Sequence, residues 1–264
     1  MPKKEVEVKA NTEIATQTAM DQLFQQNAGA GLEDADKDSF AIPFLKVLQS
    51  MSPQVDPDDG EYIEDAKPGM LFNTVTNELS DNVIVIPCHM KRTFIEWVPR
   101  DAGGGFNGEH TPDSDVVQNT PAVDGRKTLP DGNELSDTRT HYVLVIREDG
   151  SFSPAIISMS STQIKKSKLW MAKINEIKMR DENGKLYNPP SFSHYYKLTT
   201  MTESNDQGKW KGWVVSAPLK INDDEQGMEH LMAAMEFHNL VRSGEAKADY
   251  SKMDGEQTVE NSDF

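Results

Sequence analysis

The stretch HYVLVIREDGSFSPAIIS, residues 141–158, decides the fold. It contains two runs rich in Val and Ile, His141–Ile146 and Phe152–Ser158, separated by the polar turn Glu148-Asp-Gly150. Two apolar runs of this length around a short, glycine-containing turn are typical of a β-hairpin. The sequence therefore predicts two antiparallel strands here, and the flanking elements are interpreted around them.

On the carboxyl-terminal side, Ser160 or Ser161 is expected to cap a helix that ends near Arg180. A second hairpin is predicted for Tyr195–Thr200 and Trp210–Val215. A capping box of Asp223 and Gln226 then begins a last helix, which stops at Gly244. Apolar residues at helical spacing are expected to face the core: in the first helix Ile164, Trp170, Met171, Ile174 and Ile177, and in the second Met228, Leu231, Met232 and Met235.

On the amino-terminal side, residues 83–98 predict one long strand bent near Pro87, or two consecutive strands, and residues 70–76 predict another strand. Ser39 or Asp38 is expected to cap a short helix whose Phe44, Leu45 and Leu48 point inward. A further short helix is expected near residues 20–24. Residues 101–138 are far longer than an ordinary connection and are expected to form a mobile excursion.

The resulting order is strand, long bent strand, hairpin, helix, hairpin. Five antiparallel strands with a helix between the third and fourth are the plan of an OB-like barrel, so the fold class predicted is mainly β with α. The expected organisation is a mobile arm over residues 1–32, an OB-like domain over 33–244 containing the long loop 101–138, and an acidic tail over 245–264.

Charge is distributed unevenly along the chain. The net charge is −16, yet residues 151–220 hold 11 basic and 5 acidic residues, a net charge of +6. The flanks carry the acidity, with a net charge of −9 over residues 1–80 and −8 over residues 221–264. This asymmetry indicates a local basic surface on an acidic protein.

No arrangement of residues predicts catalysis or a cofactor. Cys88 and His89 are neighbours in a predicted strand, so alternation sends them to opposite faces, and no second Cys/His pair supplies zinc-like spacing. The glycines at 103–105 lack the Lys-Ser/Thr of a phosphate-binding loop. The single cysteine and the absence of an apolar run indicate a soluble protein of a reducing compartment such as the cytoplasm, with no membrane partner.

Basic and aromatic residues alternate in three segments, and this combination suits single-stranded nucleic acid, whose phosphates need cations and whose bases stack on flat side chains. Tyr142 and Arg147 of the first hairpin are added to the set. The candidate binding residues are Lys91, Arg92, Phe94, Trp97 and Arg100; Lys165, Lys166, Lys168 and Lys173; and Tyr195, Tyr196, Lys197, Lys209, Trp210, Lys211 and Trp213.

Each segment also has a purely structural interpretation. The helix lysines are then a solvated face with Trp170 in the core, while Trp97 and Trp213 fill the barrel interior. The acidic tail is then a solubilising end. Its last two residues, Asp263 and Phe264, nevertheless present an anion and an aromatic ring together, which suits a basic, apolar pocket on a partner protein.

These features resemble the bacteriophage single-stranded-DNA-binding proteins, which combine an OB fold with an acidic tail ending in Phe. The resemblance rests on residues 69–222, on the Asp263-Phe264 ending, and on the segments Ile42–Gln49 and Thr162–Lys168. It implies coating of single strands in phage replication and recombination within the bacterial cytoplasm, without a cofactor. It also implies tail contacts to a replication polymerase or helicase, and a homodimer is compatible with this role.

Three other interpretations remain open at this point. An acidic adaptor or DNA mimic would occupy the basic groove of a host enzyme, and would cluster its acidic residues on the folded surface. A virion component would assemble into large particles. A hydrolase whose site is divided among distant segments would escape a search for local motifs.

Overall fold

The computed structural model describes residues 19–35, 41–123, 125–206 and 208–253 of the chain. The chain divides into two units, residues 1–41 and residues 42–264. In the first unit, residues 19–26 form a helix, α1, as expected near residues 20–24. Its apolar side chains Met20, Leu23 and Phe24 are exposed. The second unit contains all the elements below.

The described part of the second unit is sheet-rich, with antiparallel strands and three α-helices. The helices are α2 (Asp115–Asn119), α3 (Ile164–Glu176) and α4 (Glu225–Ser243). The strands are β1 (Leu45–Val47), β2 (Leu71–Asn73), β3 (Leu79–Ser80), β4 (Val83–Trp97), β5 (Phe106–His110), β6 (Ala122–Val123), β7 (Arg126–Thr128), β8 (Glu134–Ile146), β9 (Phe152–Ser160), β10 (Met179–Arg180), β11 (Leu186–Tyr187), β12 (His194–Asn205), β13 (Gly208–Val215) and β14 (Leu219–Lys220).

The main sheet is organised around the long strands β4 and β8, which pair antiparallel along most of their length. The five long strands lie in the order β13-β12-β4-β8-β9. The long bent strand is confirmed, because the register of β4 shifts between Pro87 and His89. Both hairpins, β8–β9 and β12–β13, are confirmed as well. Among the described residues β9 and β13 do not pair with each other, so the expected barrel is not closed by hydrogen bonds.

The segment expected to form a short helix from Ser39 is a strand where the structure describes it. Ser39 and Asp38 lie outside the described residues, and β1 pairs with β2. The backbone amide of Ile156 on β9 donates to the carbonyl of Pro43 at 2.8 Å, beside a parallel bridge between Phe44 and Ile156. The backbone of this segment therefore forms its hydrogen bonds with distant strands rather than within a helix. Phe44, Leu45 and Leu48 are nevertheless buried, as predicted.

Gln49, just after β1, joins this segment to β13. Its Nε2 donates to the carbonyl of Lys211 at 2.9 Å, and the Lys211 amide donates to its Oε1 at 2.8 Å. One side chain thus hydrogen-bonds both backbone groups of a residue in β13. The β1 segment therefore contacts both β9 and β13, the two long strands that do not pair with each other.

Replacing Gln49 by Ala should lower the free energy of unfolding by about 2 kcal/mol, because two partly buried backbone groups of Lys211 lose their partners. Urea unfolding monitored by circular dichroism measures this loss. Gln118→Ala is the matched control, because Gln118 is exposed and donates a single side-chain bond, to Pro112. Equal stability of the Gln49→Ala and Gln118→Ala variants would show that this junction contributes nothing.

Residues 101–138, expected to be a mobile excursion, contain regular structure. β5 pairs with β4, α2 is capped by Ser114, and β6 and β7 form a small hairpin that joins β8. Residues 134–138 belong to β8 itself. The polar and glycine-rich composition suggested a loop, but long-range pairing to β4 and β8 orders the segment.

The two long helices begin and end close to their predicted positions. α3 ends at Glu176 rather than near Arg180, and Trp170 and Ile174 are buried as expected. The Asp224 side chain caps α4 by accepting from the Gly227 amide, and Gly244 ends the helix at a φ of 84°. Of the four residues predicted for the core face of α4, Leu231 is partly buried against the core, but Met228, Met232 and Met235 are about half exposed, so the prediction is wrong for the methionines. The residues that α4 buries are Gly227, His230, Ala234, Phe237 and Val241.

Both faces of the main sheet are covered by apolar packing. α4 packs on one face, over residues such as Ile86 and Tyr142. The other face packs against α3 and β1 through residues such as Val85 and Tyr196. None of the helices in the described ranges has the length and apolar character needed to cross a membrane.

The beginning of the segment assigned to the acidic tail belongs to the folded core. Ala246, Tyr250 and Met253 are buried. The Tyr250 ring lies 5.3 Å from that of Phe44 and 6.3 Å from that of Trp97, between centroids. Its hydroxyl is 2.6 Å from the Thr140 hydroxyl. A tail that begins at residue 245 is therefore inconsistent with the packing of residues 246–253.

Candidate nucleic-acid interface

The first candidate segment, on β4, is largely unavailable for stacking. Phe94 and Trp97 are 6% and 8% exposed and lie in apolar clusters. Arg92 forms a two-pronged ion pair with Asp137 on β8, with Nε–Oδ1 and Nη2–Oδ2 distances of 3.1 and 2.9 Å. Arg100 is exposed at the end of the strand. The two aromatic side chains support the sheet, as the structural interpretation proposed for Trp97.

The first hairpin contributes one buried ring and one exposed cation. Tyr142 is 3% exposed, and burial is the main reason that its pKa is raised. The Lys91 ammonium lies 5.5 Å from the centre of that ring. Arg147 is exposed and donates to the Ser153 hydroxyl at 3.2 Å. Tyr142 therefore cannot stack on a base without unpacking the core.

The four lysines of α3 divide into two pairs. Lys165 and Lys168 are exposed. Lys166 forms an ion pair with Glu203 of β12, and Lys173 donates to the carbonyls of Val215 and Ser216 at the end of β13. Two of these lysines therefore hold the helix against the second hairpin, and two remain at the surface.

On β12 the aromatic side chains also serve the fold. Tyr196 is fully buried, and burial raises its pKa to about 12. The Tyr195 hydroxyl lies 2.8 Å from Nδ1 of His230 on α4. Lys197, which follows Tyr196 directly, is exposed. Of this candidate set only Lys197 can reach a ligand without rearrangement.

β13 supplies the most accessible combination of charge and ring. Lys209 is exposed, and the Lys211 ammonium donates to the Thr202 hydroxyl at 2.8 Å. Trp210 is partly exposed and its Nε1 donates to Glu203 at 3.2 Å, whereas Trp213 is 3% exposed in the core. Trp210 is the one tryptophan of the four that is not buried.

Glu203 brings the second and third candidate segments together. Its carboxylate accepts from Trp210 on β13 and from Lys166 on α3. It lies over Gly212, where the Cβ of any other residue would collide with it. Glu203 therefore brings Lys166 of α3 and Trp210 of β13 together, while Lys209 and Lys211 lie on the other face of β13, where Lys211 contacts Thr202. We call the residues on and around this strand the α3–β13 surface: Lys165, Lys166, Lys168, Lys209, Trp210 and Lys211. The candidates on β4 belong to a different part of the sheet.

A cleft of about 130 Å³ lies beside this surface, between β1, β9 and β13. Lys46 and Lys211 are its two cations, and no Asp or Glu side chain is among its lining residues. Gln49 and Gln163 fix one wall, since the Trp213 amide donates to Gln163 at 3.1 Å. The cleft can therefore accept an anion without meeting a fixed negative charge.

Sequence reasoning missed Lys46 and Gln49 as parts of this cleft. Both lie in the segment that was interpreted as a short helix, so their approach to β13 was not foreseen. The tail residues Asp263 and Phe264 lie outside the described residues. In the part of the chain that the structure describes, no cluster of three or more His, Cys, Asp or Glu side chains is placed to hold a metal ion. Burial raises the pKa of the Cys88 thiol to about 12, as expected for a core cysteine.

Comparison with known proteins places the chain in one family. Residues 10–247 match the family model described as Pam3 phage gp34-like protein. No curated protein and no solved structure shows a significant match. Because the match spans most of the 264 residues, the chain belongs to the Pam3 phage gp34-like family of bacteriophage proteins.

Proposed function

We propose that the protein binds single-stranded DNA through the α3–β13 surface and the adjoining cleft. The observation that carries this proposal is the concentration of cations at this place on a protein of net charge −16. Within the described ranges, Glu203 is the only carboxylate that forms a hydrogen bond or ion pair with a side chain of this surface. Phosphates are attracted to such a local excess of Lys even when the whole molecule is negative.

The strand order supports the proposal. With β4, β8, β9, β12 and β13 as first to fifth strands, the first strand pairs with both the second and the fourth, and α3 lies between the third and the fourth. An OB fold has the same order with its third and fifth strands also paired, and oligonucleotides bind there on the second and third strands and on the loops between the first and second and between the fourth and fifth strands. The loop between β12 and β13, next to Lys209, is the part of that site that the α3–β13 surface shares. In our proposal β1 occupies the gap between the third and fifth strands, as an additional element of an OB-like domain.

Burial of the rings determines the mode of binding that we propose. Since Trp97, Trp213 and Tyr196 are in the core, base stacking is left mainly to Trp210. Phosphate contacts by Lys165, Lys168, Lys209 and Lys211 then supply most of the affinity. Such binding is insensitive to base sequence and weakens steeply as salt concentration rises.

The test is a titration of oligo-dT followed by tryptophan fluorescence, in which Trp210 is the reporter. Replacing both Lys209 and Lys211 by Ala should weaken binding by about tenfold and reduce the salt slope by about 1.4, since each phosphate contact to a single strand contributes about 0.7. Glu203→Gln should act in the opposite direction, because it releases Lys166 while an amide oxygen can still accept from Trp210.

Lys178→Ala combined with Lys185→Ala is the matched control, since it removes the same charge from the segment after α3. A protein that does not bind oligo-dT at low salt, or whose affinity falls equally in the control, contradicts the proposal.

The terminal residues Asp263-Phe264 are proposed to contact a replication polymerase or helicase. Removing them by truncation after Met253 keeps Tyr250 in the core and should leave oligo-dT binding intact.

A further inference from the structure

A second cationic cluster lies on the opposite side of the sheet core, where α4 meets β4. His89 on β4 is directly opposite Tyr142 on β8 in the strand register, with 6.4 Å between ring centroids. The ring of His238 on α4 lies 5.2 Å from that of His89. The sequence separates these two histidines by about 150 residues, so their approach depends on the packing of α4.

Two permanent cations flank the histidine pair. Lys91 follows His89 by two residues on β4, hence on the same side of the strand, and Arg242 follows His238 by one helical turn on α4. Burial lowers the pKa of His89, and the positive charges of His238, Lys91 and Arg242 lower it further. No carboxylate in the described ranges is among these causes.

The hydrogen bond of His238 defines where a further proton can bind. Its Nδ1 lies 2.9 Å from the carbonyl oxygen of Cys88, which can only accept, so Nδ1 carries the hydrogen of the neutral ring. Nε2 is then the ring nitrogen that carries no hydrogen in this tautomer. The ring is held further by Phe192, at 5.5 Å between centroids. Protonation of His238 therefore adds a second N–H donor to a ring whose orientation is already fixed.

We propose that His89, Lys91, His238 and Arg242 form a binding site for a phosphate group. Each can donate to a phosphate oxygen, and a bound anion relieves the repulsion among the four cationic groups. The ligand is a free phosphate or a phosphate of a polynucleotide backbone. This site is separate from the α3–β13 surface and does not depend on the proposed function.

The surroundings of the site set the sign of its pH dependence. The titratable group that lies against it is the Tyr142 phenol on β8, whose pKa burial raises. Glu109 on β5 acts on Tyr142 and is not among the charges that act on His89. Phosphate binding favours the protonated form of His89, so affinity increases as the pH falls below about 6.5 toward the lowered pKa of that imidazole.

The experiment follows the imidazole carbon-bound protons of the full chain by NMR, with inorganic phosphate as the probe, at about pH 6 and about pH 8. We expect phosphate to shift the signals of both His89 and His238, to raise the pKa of His89, and to bind, counted as the dianion, about tenfold more tightly at the lower pH. Lys91→Met with Arg242→Gln should weaken phosphate binding by about tenfold or more, since two charge-assisted contacts are lost.

Lys178→Met with Arg180→Gln is the control, because it removes one Lys and one Arg from an exposed segment that the site does not include. Histidine signals that do not respond to phosphate or to oligo-dT, or a response unchanged in the Lys91→Met/Arg242→Gln variant, overturn the proposal. A response to both probes indicates free phosphate as a ligand, and a response to oligo-dT alone indicates the backbone. The Lys209→Ala/Lys211→Ala variant should keep the phosphate response even if it no longer binds oligo-dT.

Discussion

Replacing Glu96 by Ala should lower the free energy of unfolding by about 3 kcal/mol or more, because three donors would lose a buried acceptor. Glu96 is 6% exposed on β4. One carboxylate oxygen accepts from Asn107 and from Asn133, each at 2.6 Å, and the other lies 2.6 Å from Nε2 of His110. Burial alone would raise the pKa of this carboxyl, but the hydrogen bonds from Asn133, His110 and Asn107 together lower it.

The position of the three partners predicts where the variant becomes unstable. Asn107 and His110 belong to β5, and Asn133 immediately precedes β8, so Glu96 fastens both ends of the 101–133 connection to the sheet. Urea unfolding should report the decrease in the free energy of unfolding of the whole protein. Hydrogen exchange should show the largest increase at the β5 amides, since the Glu96 cluster is the main polar anchor of that strand.

Glu109→Gln is the matched control, because Glu109 is an exposed carboxylate of the same strand and its replacement should change stability by less than about 0.5 kcal/mol. Because the lowered pKa of Glu96 favours its charged form in the folded state, its contribution is present above the unfolded pKa of about 4.5. It is lost as the pH falls through the folded pKa. A Glu96→Ala protein as stable as Glu109→Gln at neutral pH would contradict this account.

The Glu96 cluster also shows what a single sequence does not reveal. Its hydrogen-bond partners are 11, 14 and 37 residues away from Glu96, in a segment whose composition predicts a loop. Strand periodicity correctly predicted β4 and the two hairpins, since that signal is local. The pairing of β5 and β7 with the long strands depends on contacts across the sheet, which leave no periodic signal of their own.

Burial of the candidate aromatic residues was misjudged for a related reason. In a sheet covered on one face, alternation separates buried from exposed residues, but here α4 covers one face and α3 with β1 covers the other. Trp97, Tyr142 and Trp213 therefore lie in the interior, and Phe94 is buried separately, against Val117 of α2 and Leu135 of β8. The basic character of residues 151–220 was foreseen, and its lysines do meet at the α3–β13 surface, but the sequence could not tell which lysines Glu203 and the β13 carbonyls would engage.

α4 illustrates how two apolar faces compete on one helix. The methionines at 228, 232 and 235 follow helical spacing, and so do Ala234, Phe237 and Val241. Phe237 and Val241 pack on the sheet with Tyr142 and Ile86. Burying a flexible methionine costs more side-chain entropy than burying Ala. The face of α4 with the smaller and more rigid side chains therefore packs on the sheet.

The stability of the protein should fall steeply below pH 6.5, and His141 should be a principal cause. His141 is 1% exposed on β8. Its Nε2 lies 2.8 Å from the Ser167 hydroxyl of α3, and its ring stacks on Trp170 at 4.7 Å between centroids. Burial, followed by the charge of Arg139, lowers its pKa to about 3. The folded protein therefore keeps this imidazole neutral at pH values where the unfolded chain protonates it.

The pKa of His141 is about 3 in the folded protein and about 6.5 in the unfolded chain, and these two values determine the direction and the pH range of the stability change. Above about pH 6.5 both states are neutral at this position and stability is unaffected. As the pH falls from about 6.5 toward 3, the unfolded state binds one more proton than the folded state, and the free energy of unfolding decreases by up to about 1.4 kcal/mol per pH unit. His89 and His194, whose pKa values burial also lowers, act in the same direction.

Urea unfolding of the native and His141→Gln proteins between about pH 5 and 6 isolates this contribution, because His89 and His194 affect both proteins alike and the carboxylates with lowered pKa values change little in that range. In a His141→Gln protein the decrease should be smaller by up to about 1.4 kcal/mol per pH unit than in the native protein. Ser167→Ala is the control. It removes the hydrogen-bond partner but keeps the buried imidazole, so it should lower stability by about 1 kcal/mol at every pH and leave the slope unchanged. The same slope in the native and His141→Gln proteins would show that His141 takes up its proton within the folded state, and the α3–β8 packing would then have to admit a charge or water beside Trp170.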